Sequence, residues 1–242
     1  MKTSESTISR HLSQLRLGRS LSKDDGEWLY AQFDSLCRRS GLLDGQKIIA
    51  LWVEIALKHN EAHRFYHNLT HLYNLIQLVD RYEVDIFAPD LLRWAVFYHD
   101  FVYNVGSTSN ESDSAEAAGE RLSAFLASEE LRLVEKYILA TAKHQLPPVD
   151  EQFTTAEQAD CGLFLDFDLA ILAAPAPIYQ QYTQAIAQEY TTLYHPTQYR
   201  EGRRAFLDRF LRTHHTFFLS PTFEPVEEQA MENVLNELSS YQ

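Results

Sequence analysis

Cysteine is nearly missing from this chain. Cys37 and Cys161 are the only two among 242 residues. Two thiols cannot build a disulfide framework, so reduced cysteines and a cytoplasmic location are expected. Glycine and proline are scarce too, with 8 of each. That scarcity argues against a loop-rich β architecture and for long helices. Cations are outnumbered: 21 Lys and Arg face 34 Asp and Glu, a formal net charge of −13. Such a surface repels a phosphate backbone at long range, so neither nucleic acid nor an anionic membrane is expected as a partner. No run of about 18 apolar residues exists that could span a bilayer. Residues 1–23 lack the apolar core of a signal peptide. Residues 1–22 read instead as a polar tail or a short docking helix, ahead of one helical domain over 23–242.

What is present is apolar periodicity and many aromatic rings. The hydrophobic fraction is 45%, with 13 Tyr and 14 Phe, enough to fill a substantial core. Trp28, Leu29, Phe33 and Leu36 form a helical stripe, and Ile48, Ile49, Trp52, Val53 and Ile55 form the next. Leu69, Leu72, Tyr73, Ile76 and Val79 repeat at the same spacing, with Asn68 or Thr70 placed to cap. Pro89 opens a further helix through Phe97. Residues 104–110 read as a loop. Helices are expected at about 111–127, 129–143 and 154–168, and three more follow between 178 and 238. No strand alternation persists, so the expected fold is all-α, a single domain.

Against this background a few polar residues stand out. His99-Asp100 closes an almost wholly apolar helix, and a buried His-Asp pair needs compensation. His67 and His71 are four apart and would share a face if both were helical. Asp166 and Asp168 interrupt an apolar run, and their spacing of two sends only one of them inward. Imidazole and carboxylate together suit a divalent metal with open coordination positions, and such a metal activates water.

The ordered set His71, His99-Asp100, then Asp168 or Asp166 resembles the H…HD…D signature of HD-superfamily metal-dependent phosphohydrolases. The string from Tyr66 to His71 also looks like the YHNxxH opening of cyclic-nucleotide phosphodiesterases. Phe97-Tyr98-His99-Asp100, Asn110-Glu111-Ser112-Asp113, Thr141-Ala142-Lys143-His144 and Leu165-Asp166-Phe167-Asp168 resemble a bacterial group of predicted HD phosphohydrolases over roughly residues 24–238. The resemblance implies an HD-like helical bundle holding one or two divalent ions (Mn, Mg, Fe, Co, Ni or Zn). His71, His99, Asp100 and Asp168 or Asp166 would be ligands, with His67 as the other option for the first. It implies hydrolysis of a phosphate ester or anhydride in a small phosphorylated molecule such as a nucleotide.

In that reading His67 donates a proton to the leaving group, Asp100 joins the chemistry, and Glu111 orients the attacking water. Arg64, Lys143 and His144 are candidates to contact the anionic substrate. A di-iron HD oxygenase and a non-catalytic metal- or nucleotide-binding helical module are the alternatives, and a homodimer is compatible with the composition. Tyr190, Tyr199, Arg200, Gly202, Arg203 and Arg204 form an aromatic and basic cluster late in the chain. It could line a substrate entrance, but a structural role is the simpler expectation.

Overall fold

Helix starts in this chain are set by side chains that accept the free amides of the first turn. The computed structural model describes residues 6–149 and 153–241, and among them eleven α-helices and three short 3-10 turns. They run α1 Thr7–Leu12, α2 Lys23–Arg39, α3 Gly45–His59, α4 Leu69–Arg81, α5 Pro89–Tyr98 and α6 Asn110–Leu122. After them come α7 Ser128–Thr141, α8 Thr155–Leu169, α9 Ala176–Tyr190, α10 Pro196–Thr213 and α11 Glu227–Ser239. Ser22, Asp44, Asn68 and Thr154 each accept a first-turn amide of the helix they precede. The fold is all-α. Among the described residues, no single helix is long and apolar enough to cross a bilayer.

Helix α5 is the axis of the molecule. Its residues from Leu92 to Tyr98 are all buried, because α4, α6, α7 and α8 pack around it on every side. Trp94 and Phe97 both meet Phe33 of α2 edge-on, at 5.7 and 5.1 Å between centroids. Arg93 fits inside this apolar run because Asp80, Glu83 and Asp90 surround its guanidinium. Helix α5 has no side-chain cap of its own. Asp160, on α8, reaches across instead and accepts the Phe87 and Ala88 amides, both at 2.8 Å. The start of α5 is thereby locked to α8, and its far end is where His99 stands.

Two boundaries differ from the periodicity. The helix expected to run to 127 stops at Leu122, where the chain turns so that Leu126 folds into the core. Ala127 then opens α7, with Glu130 accepting its amide at 2.8 Å. In the N-terminal segment, Ile8 and Leu12 of α1 are buried against the 3-10 turns Ala170–Ala173 and Glu224–Val226. Its first five residues lie outside the described ones.

Candidate metal centre

Three helices converge at one point and bring four side chains to it. His71 sits in the first turn of α4, His99 caps the C-terminus of α5, Asp100 follows it, and Asp168 lies in the last turn of α8. His71 Nε2 is 3.2 Å from His99 Nε2 and 3.1 Å from Asp168 Oδ1. His99 Nε2 is 3.1 Å from Asp100 Oδ2. The remaining two imidazole–carboxylate distances are 3.7 and 3.8 Å. Donors bound to one cation at ~2.1 Å stand ~3.0 Å apart in an octahedron and ~3.4 Å apart in a tetrahedron. The observed separations fall at and just beyond that range. His71, His99 and Asp100 each offer one ligand atom within 4.8 Å of the other two.

Tautomer and charge agree with this use. The Val96 carbonyl accepts from His99 Nδ1 at 2.9 Å, which leaves the Nε2 lone pair for the centre. The two imidazole Nε2 atoms aimed at each other can share one proton or both turn their lone pairs to a bound cation. Burial alone would lower the His99 pKa, but Asp100 and Asp168 outweigh it and hold the group well above its ordinary value. Both carboxyls are held well below theirs by the surrounding imidazoles, against the opposing effect of burial. The donor set therefore fits a divalent ion. The imidazoles are 3% and 2% exposed and the carboxylates 18% and 16%, so the centre opens to solvent on its acidic side.

Asp166 is no part of this quartet. It points the other way and accepts the Leu219 and Ser220 amides at 2.7 Å each, as its spacing of two from Asp168 demands. His144 comes to the centre through an unusual backbone, with φ at +47°, and its Nε2 lies 3.0 Å from Asp168 Oδ2. The two oxygens of Asp168 are thus divided between His71 and His144.

His67 is not on the helix of His71, because Asn68 caps that helix. Its Nδ1 meets Glu189 Oε2 at 2.7 Å instead, and its ring stacks on Tyr103 at 4.3 Å. The His67 and His71 ring centroids are 6.1 Å apart. Burial disfavours the His67 imidazolium, but Glu189 and then Asp100 more than compensate and raise its pKa. Burial likewise pushes Glu189 up, and His67 with the Tyr66 and His67 amides brings it down to about 2. Oε1 of Glu189 accepts the amides of Phe65, Tyr66 and His67, and Tyr103 donates to Oε2 at 2.8 Å. One buried carboxylate therefore shapes the whole turn ahead of α4.

Arg64 requires a correction. It was expected to face an anionic substrate, yet its side chain is wholly buried. Its guanidinium donates to the carbonyls of His67, Asp100 and Phe101, at 3.1, 2.6 and 3.1 Å. Carbonyls at the C-terminus of α5 lack helical partners, and a cation there satisfies both hydrogen bonding and the helix dipole. Arg64 thus fastens the His67 turn to the His99-Asp100 turn. Lys143 is exposed beyond the end of α7. Glu111 is half-buried in the first turn of α6, where its charge raises the pKa of Tyr190 after burial and other neighbours.

Glu189 and Tyr103 were not found by reading the sequence. A signal existed in α9: Tyr179, Tyr182 and Ile186 form a buried stripe at helical spacing, and the next position of that stripe is Glu189. An acid on an apolar stripe needs a buried partner. A scan against protein-family models matched none, and a search of curated proteins returned no significant match.

Proposed function

We propose that this chain is an HD-type metal-dependent phosphohydrolase that cleaves a phosphate ester or anhydride in a small phosphorylated molecule. The observation that carries the reading is the convergence of His71, His99, Asp100 and Asp168 beside a third imidazole, His67, paired with Glu189. A divalent ion held by these four residues supplies Lewis-acid polarisation of a phosphoryl oxygen and a more acidic water. His67 is placed to give a proton to the leaving oxygen, and the Glu189 carboxylate beside it raises its pKa and favours the protonated ring. Glu189 holds the His67 ring in position and fixes the proton on Nδ1, so Nε2 carries the other proton in the imidazolium. Arg64 keeps His67 and Asp100 on adjoining turns.

A second reading is a dinuclear centre, as in a di-iron oxygenase. It is favoured by Asp168, whose two oxygens lie 3.1 Å from His71 Nε2 and 3.0 Å from His144 Nε2. The reaction separates the two: an oxygenase consumes dioxygen with iron bound, whereas the hydrolase cleaves a phosphoester without it. The deciding experiment loads the purified protein with Mn, Co, Ni, Mg or Zn and assays phosphomonoesters, nucleotides and cyclic nucleotides. Turnover is expected in the wild type and lost in His99→Ala and Asp100→Ala. Equal turnover in those variants, or none with any metal in the wild type, removes the hydrolase reading.

A further inference from the structure

We propose that the cleft between α1, the chain that follows it and α4 binds the carboxylate or phosphate group of a small organic anion, at a site separate from the metal centre. The cleft has a volume of about 250 Å³, just under the ~300 Å³ at which typical small-molecule sites begin. It therefore suits a ligand of a few carbons. None of His71, His99, Asp100 and Asp168 lines it, so the site does not depend on the hydrolase reading.

The charge of the cleft runs against that of the molecule. The chain holds 34 Asp and Glu against 21 Lys and Arg, yet none of the nine residues lining the cleft is acidic. Arg16, Arg81 and His11 all line it. A concave surface of one sign concentrates ions of the other, because its low-dielectric walls focus the field. Guanidinium forks match the paired oxygens of carboxylate and phosphate alike. Tyr73 and Leu78 are buried beneath and offer an apolar floor for the carbon part of the ligand.

Part of the cleft is rigidly built. Asn74 is 8% exposed. Its Oδ1 accepts the Arg16 amide at 3.0 Å, and its Nδ2 donates to the Arg16 carbonyl at 2.7 Å. The Arg16 guanidinium pairs with Asp25 and lies 4.8 Å over the Tyr73 ring, so it forms a fixed wall. The rest of the cleft is unspent. Arg81 is exposed and makes no ion pair or hydrogen bond among the described residues, and neither do the side chains of Gln14 and Gln77. His11 is also 8% exposed. Its Nδ1 lies 3.3 Å from Tyr82 Oη, and no carboxylate is within ion-pair reach of its ring among the described residues. Burial, then Arg81 and Arg10, lower its pKa. An anion in the cleft offsets those two cations and gives Arg81 a partner.

NMR of the full-length protein tests this, with ionic strength held constant by NaCl. Inorganic phosphate, methyl phosphate, acetate and succinate are titrated in turn. The ring resonances of His11 are followed, identified by their loss in His11→Gln, and those of His67 report on the metal centre. At least one anion should shift His11 saturably at millimolar concentration or below and raise its pKa. A response to the phosphates alone assigns the ligand to phosphate esters, and a response to acetate or succinate assigns it to carboxylates. Arg81→Gln should weaken the binding read at His11 about threefold to fivefold and leave any response of His67 unchanged. Arg204→Gln removes an exposed cation of α10 outside the cleft and should bind like wild type. No saturable response of His11 to any of the four anions, or an equal response in Arg81→Gln, overturns the proposal. A His11 response that disappears when a chelator strips the metal overturns it as well, because the anion then acts through the metal centre.

Discussion

Replacing Glu189 by glutamine removes one charge and leaves the shape of the side chain. The native carboxyl titrates at about 2 against an ordinary 4.5, a difference of about 2.5 units. At ~1.36 kcal/mol per unit, the ionised form stabilises the fold by about 3 kcal/mol near neutral pH. Because the native pKa is depressed, this stability is present above pH 4.5 and is lost as the pH falls through that value toward 2. The His67 partner behaves in the opposite sense: its raised pKa contributes below 6.5 and is lost as the pH climbs past the raised value. The ion pair is therefore complete from about pH 4.5 up to and somewhat beyond 6.5. In Glu189→Gln the amide oxygen can still accept from Phe65, Tyr66 and His67, but its NH2 confronts His67 Nδ1 and Tyr103 Oη, and no charge supports the imidazolium. Urea unfolding should show the variant about 3 kcal/mol less stable at pH 7. The gap should close by about 1.4 kcal/mol per pH unit below 4.5. NMR titration of His67 should show a lower pKa in the variant, since only Asp100 and Asp168 then oppose the effect of burial. A gap below 1 kcal/mol that does not change with pH, or a His67 pKa that stays in place, would refute the reasoning.

Other perturbations separate binding from scaffolding. Asp168→Ala should abolish metal retention in equilibrium dialysis. Asp166→Ala should retain metal and instead cost roughly 1–3 kcal/mol of stability in denaturant unfolding, because two buried amides lose their acceptor. Arg64→Ala should lower stability by about 3–5 kcal/mol by leaving buried carbonyls of both site turns unpaired, as thermal unfolding would show, and Arg64→Lys should recover only part of that. Acidification should release the metal, since protons compete for the two imidazoles, and His99 in particular holds a proton well above its ordinary pKa when no cation is bound. Metal retained unchanged from pH 7.5 to 5 would count against ligation by histidine.

Most of the helices were legible because their signals are local. The stripe from Trp28 to Leu36, Asn68 capping α4 and Pro89 at the first turn of α5 each act within a few residues. The same locality explains the misplaced end of α6. Nothing near Leu122 forbids another turn of helix, and the chain bends there only because Leu126 has a place in the core. The ligand candidates were visible as polar residues in apolar surroundings. The choice between Asp166 and Asp168 was not, since two acids flanking a single residue look alike until their targets are known.

Glu189 illustrates the limit more fully. Its stripe position on α9 could have raised suspicion, but its partners lie far up the chain on another element, and no spacing rule connects them. Arg64 failed in the same way. A cation beside a histidine motif suggests an anion, and only the packed structure reveals the helix-end carbonyls that occupy it.

The sequence alone determined that this chain is helical, where most helices begin, and which imidazoles and carboxylates sit among apolar neighbours. Periodicity and capping are short-range effects, so they can be read one turn at a time. The tertiary structure alone decided which of those groups meet, which acid turns to the centre, and that Glu189 and Arg64 hold the site together. Those outcomes depend on how α4, α5, α8 and α9 pack around a shared core, and packing is a property of the whole chain.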